Sequence, residues 1–94
     1  MTAALYRYEF DRTVSRADVE SALLLALWGC EALHGEAQTR LDAAHYLAPD
    51  KRACVIDAGT PVGRDFNRLF VGFLTREMDA DAFTTRRLVR DITA

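Results

Sequence analysis

Thr39-Arg40-Leu41-Asp42-Ala43-Ala44-His45-Tyr46-Leu47 and, beyond Ala48-Pro49-Asp50-Lys51, Ala53-Cys54-Val55-Ile56-Asp57-Ala58 fill the middle of the chain, and their reading decides the fold. The first run alternates and the second is short and made of small and β-branched residues, so both suit strands. Pro49 at the second position of a type I turn joins them, because its ring presets φ at about −65° there. A hairpin is expected. In its register Leu41, Ala43, Cys54, Ile56 and Ala58 face one way, while Arg40, Asp42, Ala44, Tyr46, Ala53, Val55 and Asp57 face the other.

Working outward toward the N-terminus, Leu5 to Asp11 alternates Tyr6, Tyr8 and Phe10 with Arg7, Glu9 and Asp11, the pattern of a half-buried strand. Ser15 and Asp18 then make a start resembling a capping box. Val19, Leu23, Ala26, Leu27, Cys30 and Leu33 recur at helical spacing until Gly35 stops them. Toward the C-terminus, Thr60 caps a second helix with Pro61 in its first turn and Val62, Phe66, Leu69, Phe70 and Phe73 as its apolar stripe. Asp79-Ala80-Asp81 ends that helix. Phe83 to Val89 reads as a closing strand, with Arg86, Arg87 and Arg90 suited to a sheet edge.

The order strand, helix, strand, strand, helix, strand makes this an α+β chain. It resembles the ferredoxin-like split βαβ arrangement, βαββαβ, which implies a four-stranded antiparallel sheet in the order 4-1-3-2 with both helices on one face. The resemblance is to an architecture, covers residues 1–94 as a single domain, and carries little functional weight because many unrelated activities share it.

Composition bounds the function from the other side. The chain has 94 residues, is 50% hydrophobic and 28% charged, and carries a formal charge of −2, so it lacks the basic excess a general nucleic-acid binder needs. RNA-recognition modules of the resembling architecture stack bases on central-strand aromatics, and Ala53 to Ala58 has none. Acylphosphatases share the order of elements, but their glycine-rich loop is replaced by Asp11-Arg12-Thr13-Val14, which removes the anion cradle. The apolar run Ala22 to Trp28 is far too short for a membrane span, and no basic stretch leads an apolar one at the start, so the expected location is cytoplasmic. Serine nucleophiles are limited to Ser15 and Ser21, and the single lysine, Lys51, falls in a turn. The inventory weighs against an enzyme and offers no cofactor site.

Four constellations remain. Cys30 with His34 and His45 with Cys54 supply four soft or borderline ligands, but the two thiols fall on buried stripes and His34 suits a helix C-terminus, so no metal is expected. Gly59-Thr60-Pro61-Val62-Gly63-Arg64 is either an anion site or a plain helix cap, and Gly59, Thr60, Gly63 and Arg64 are its ligand-binding candidates. Asp42 and Asp57 would be cross-strand neighbours, neutralised by Arg7, Arg40 and Arg90. They form either a solvated ion-pair face or the acid and base of a small cofactor-independent enzyme or ligand-binding regulator, with Arg7 and Arg40 holding the ligand. Finally, Leu24, Leu25 and Trp28 lie off the stripe of the first helix, and Tyr46 and Val55 lie on the uncovered sheet face. Both are candidate contacts for a second copy. The expectation is a small cytoplasmic interaction module acting as a homodimer or on a protein partner, without nucleic acid or membrane, and with a small anionic ligand as the secondary reading.

Overall fold

A computed structural model of the chain describes residues 2–50 and 52–91. Strands β1 (Thr2–Phe10), β2 (His45–Leu47), β3 (Ala53–Asp57) and β4 (Phe83–Asp91) form one antiparallel sheet. Helices α1 (Arg16–His34), α2 (Glu36–Asp42) and α3 (Pro61–Glu77), with a 3-10 turn at Ala80–Ala82, complete the fold. The sheet runs β2-β3-β1-β4, or 4-1-3-2 counted from the β4 edge, which places β1 and β3 at its centre.

The alternation of β1 sends Tyr8 and Phe10 into the core, where they meet Cys54 and Ile56 of β3. Val19, Ala22, Leu23, Ala26 and Cys30 of α1 and Val62, Phe66, Phe70 and Leu74 of α3 close over the same sheet face. Helix starts follow the sequence. Ser15 accepts from the Asp18 amide at 3.1 Å, and Thr60 accepts from the Gly63 amide at 2.9 Å with Pro61 at the first helical position. Arg52 ties the β1–α1 connection down by donating to the carbonyls of Asp11 and Val14.

The expected strand from Thr39 is corrected: residues Glu36–Asp42 are helical, leaving only His45–Leu47 to pair with β3. The cause is Gly35. At φ 87° it ends α1, its amide donating to the Glu31 carbonyl, and its own carbonyl accepts from both the amide and the hydroxyl of Thr39, which restarts the helix. A Glu36–Arg40 ion pair at 2.7 Å, one turn apart, supports the new turn. Among the described residues there are therefore three α-helices where two were expected. Leu41, expected to face the helices, is 77% exposed, and Leu33, expected on the α1 stripe, is 66% exposed where that helix runs past the core. Lys51 of the expected turn lies outside the described residues.

Candidate functional site

On the uncovered sheet face the register lines up Tyr46, Val55, Arg7 and Arg86 across all four strands. Glu9 serves the two arginines: Arg7 donates to it through Nε at 3.3 Å, and Arg86 lies 3.4 Å from its other oxygen. Tyr46 and Val55 do share this face, as the sequence suggests. The proposed aspartate pair does not form in the expected way, because Asp42 ends α2 instead of lying on a strand. Its carboxylate accepts from Gln38, while that of Asp57 accepts from the Gly59 amide at 2.8 Å. Arg7 and Arg40 likewise serve Glu9 and Glu36, and the side chain of Arg90 lies outside the described residues. The cross-strand repulsion that motivated an acid and base at Asp42 and Asp57 is absent.

The segment from Gly59 to Arg64 divides by role. Thr60 is the helix cap, and its hydroxyl also lies 3.3 Å from the Asp42 carbonyl, tying α2 to α3. Gly63 is required by packing, since a Cβ there would sit 2.2 Å from the carbonyl oxygen of Asp57. The amides of Gly59 and Gly63 are already engaged, so the helix start is no anion cradle. Gly59 and Arg64, however, open onto a cavity of about 490 Å³ between α3 and the β1–β4 half of the sheet.

Tyr6, Asn67, Arg68 and Arg87 line the same cavity. Arg64 and Arg68 are one turn apart on α3, and Arg87 is paired with Tyr6 across the sheet on the helix-covered side. Sequence reading found Arg64 and Gly59 but missed Arg68, Arg87, Asn67 and Tyr6. The one available signal was the spacing of Arg64 and Arg68; the arrival of Arg87 beside them is a tertiary fact. Beneath the cavity the buried Tyr8 hydroxyl donates to Asn67 Oδ1. Burial, with smaller contributions from Cys54 and Tyr6, pushes the Tyr8 pKa above the ordinary tyrosine range, so the phenol stays a donor.

The four soft ligands scatter. His34 Nε2 lies 2.8 Å from Asp65 Oδ2, and His45 sits edge-on to Phe66 with ring centroids 5.3 Å apart. Burial pushes the Cys54 thiol up to about 12, and burial followed by the nearby Asp65 charge raises that of Cys30, so neither is an activated nucleophile. Among the described residues no cluster of three or more His, Cys, Asp or Glu is placed to hold a metal ion.

Helix α1 is apolar on two sides. At about 100° per residue, Ala17, Ser21, Leu24, Leu25, Trp28 and Ala32 fall opposite the buried stripe. Trp28 is 57% exposed and Leu24 46%. Beside them a smaller hollow of about 290 Å³ lies between α1 and α2, walled by Leu27, Glu31, Thr39, Arg40 and Ala43. No helix among the described residues is long and apolar enough to cross a membrane. No protein-family model, curated protein or solved structure matches the chain.

Proposed function

We propose that this chain is a small cytoplasmic interaction module of ferredoxin-like architecture that works as a homodimer through the outward face of α1. The observation that carries the reading is the exposed stripe of Leu24, Leu25 and Trp28 on a helix whose other side already fills the core. These three side chains of one helix face keep 38–57% of their surface exposed, and since full burial of such a side chain is worth roughly 1.5–3 kcal/mol, covering them would gain a part of that for each. A tryptophan at the centre of such a face is the residue type that anchors interfaces.

The stripe is also self-complementary. About a two-fold axis between Leu24 and Leu25, Ala17 meets Ala32, leucine meets leucine, and Trp28 of one copy meets Ser21 of the other, large against small. The open sheet face supports a contact less well, because Arg7, Glu9 and Arg86 occupy its middle with solvated ion pairs.

Sedimentation equilibrium at micromolar concentrations tests the proposal. The native chain should dimerise, Trp28→Ser and Leu24→Ser should each yield monomer, and Tyr46→Ser on the sheet face should leave the dimer intact. A native chain that stays monomeric, or a dimer lost with Tyr46→Ser and kept with Trp28→Ser, would overturn it.

A further inference from the structure

We infer that the cavity lined by Arg64, Arg68 and Arg87 is a binding site for a small phosphate monoester. Three arginines line it, Arg64 and Arg68 from α3 and Arg87 from β4, and none of them makes an ion pair among the described residues. In a chain of net charge −2, with Asp and Glu outnumbering Lys and Arg by 14 to 12, this is a concentration of uncompensated positive charge. Arginines one turn apart on a helix repel each other, and a bound anion removes that repulsion.

The remaining polar lining sharpens the chemistry. Asn67 is locked: its Oδ1 takes the proton of the buried Tyr8 hydroxyl, so the amide group left for the cavity is the NH₂, a pure donor. The carbonyl of Ala4, also in the wall, is occupied by the Ala58 amide at 2.8 Å. Among the described residues no carboxylate lines the cavity. The walls therefore offer guanidinium and amide donors with little to accept in return, which selects a ligand group that is all acceptor. A phosphate monoester meets this with three terminal oxygens and a charge of about −1.5 to −2 at neutral pH, whereas one carboxylate offers two oxygens and a single charge.

The size of the cavity and the rest of its wall indicate what the phosphate is attached to. About 490 Å³ is several times the volume of the anion alone, and Tyr6, Ala4 and Ala58 in the lining leave an organic group on the phosphate something other than charge to pack against. A nucleic-acid backbone needs a basic track leading in and out. Here Arg86, next along β4, points to the other sheet face and pairs with Glu9, so the charge is confined to one concavity. The site is separate from the α1 face and does not depend on dimerisation.

Calorimetric titration of the native chain with phenyl phosphate, inorganic phosphate and benzoate tests this inference. Phenyl phosphate should bind saturably and more tightly than either of the others. Arg68→Gln and Arg87→Gln should each weaken it about tenfold or more, the effect of losing one charge-assisted pair. Arg68→Lys and Arg87→Lys, which keep the charge and lose the fork, should weaken it less, and Arg86→Gln on the opposite face should leave it unchanged. The inference falls if phenyl phosphate does not saturate, if benzoate binds as tightly, if inorganic phosphate matches the ester, or if Arg86→Gln weakens binding as much as the cavity variants. All the substituted side chains are exposed, and thermal melts of each variant check that the fold is retained.

Discussion

Two glycines inside helices show how differently the same residue can be required. A Cβ on Gly63 would lie 2.2 Å from the backbone oxygen of Asp57, whereas one on Gly29 would lie 2.7 Å from Cδ1 of Leu69. A leucine tip can change rotamer; a strand carbonyl cannot move without shifting the whole β3–α3 junction. Alanine gains up to about 1 kcal/mol of helix propensity at either position. Gly63→Ala is expected to destabilise by roughly 1–3 kcal/mol in urea unfolding, as overpacking does, while Gly29→Ala stays within about 1 kcal/mol of the native chain. Equal effects would remove the close-approach account of Gly63. In the sequence that glycine looked like part of an anion loop, because what it touches is the backbone of a strand, and no residue pattern encodes that contact. Cys54 sets a pH limit of its own. Burial holds its thiol at about 12 in the fold, against about 8.5 to 9 in an unfolded chain. Above about pH 9 the unfolded chain loses a proton that the folded one keeps, so stability falls as pH rises, by up to about 1.4 kcal/mol per unit, until the folded thiol also ionises. Below pH 9 this contribution is fully present. Cys54→Ala should flatten the fall measured between about pH 9 and pH 10, and an unchanged slope would show that the thiol is not its source.

At the level of elements, β1, α1 and α3 were legible because each carries a clear apolar period and, for both long helices, a cap, while β4 was legible from its β-branched and aromatic residues. Residues 36–47 were not. Their alternation is weak, Ala43 and Ala44 suit either state, and Gly35 marks the end of one helix without saying whether another follows. What decides for helix is the positive φ of Gly35 together with Thr39, whose buried hydroxyl returns to the Gly35 carbonyl at 2.8 Å. A side chain at Gly35 meets no neighbour within 4 Å, so its substitution tests conformation alone. Gly35→Ala should cost about 1–2 kcal/mol, the strain of placing an L side chain at that φ. With seven residues and only Thr39 buried, α2 is also too short to hold itself. Its amides should exchange with deuterium well ahead of those at the centres of α1 and α3, and further ahead in Gly35→Ala. Protection of α2 equal to that of α1 would mean that the junction is not what keeps it folded.

Across the whole molecule, the sheet and its two long helices use one face of each element, and the functional proposals rest on what is left over. The candidate cavity was half legible: Gly59 and Arg64 stand together in the chain, but Arg87 lies on the last strand and joins them only through the β1–β4 pairing. The outward face of α1 was legible in full, since Leu24, Leu25 and Trp28 are out of phase with the buried stripe in the sequence itself. That face carries the only tryptophan in the chain, so its fluorescence reports on the proposed contact without a label. In a monomer Trp28, 57% exposed, is in contact with water and should emit at long wavelength. In a two-fold contact centred on Leu24 and Leu25 it is covered, its emission should shift to the blue, and the shift should grow with protein concentration along the same curve as the sedimenting mass. Leu24→Ser keeps the fluorophore and removes its neighbour, so it should hold the emission red at every concentration. If the native emission is blue and independent of dilution while the sedimenting species is monomeric, Trp28 is shielded within its own chain and the α1 face is not an interface.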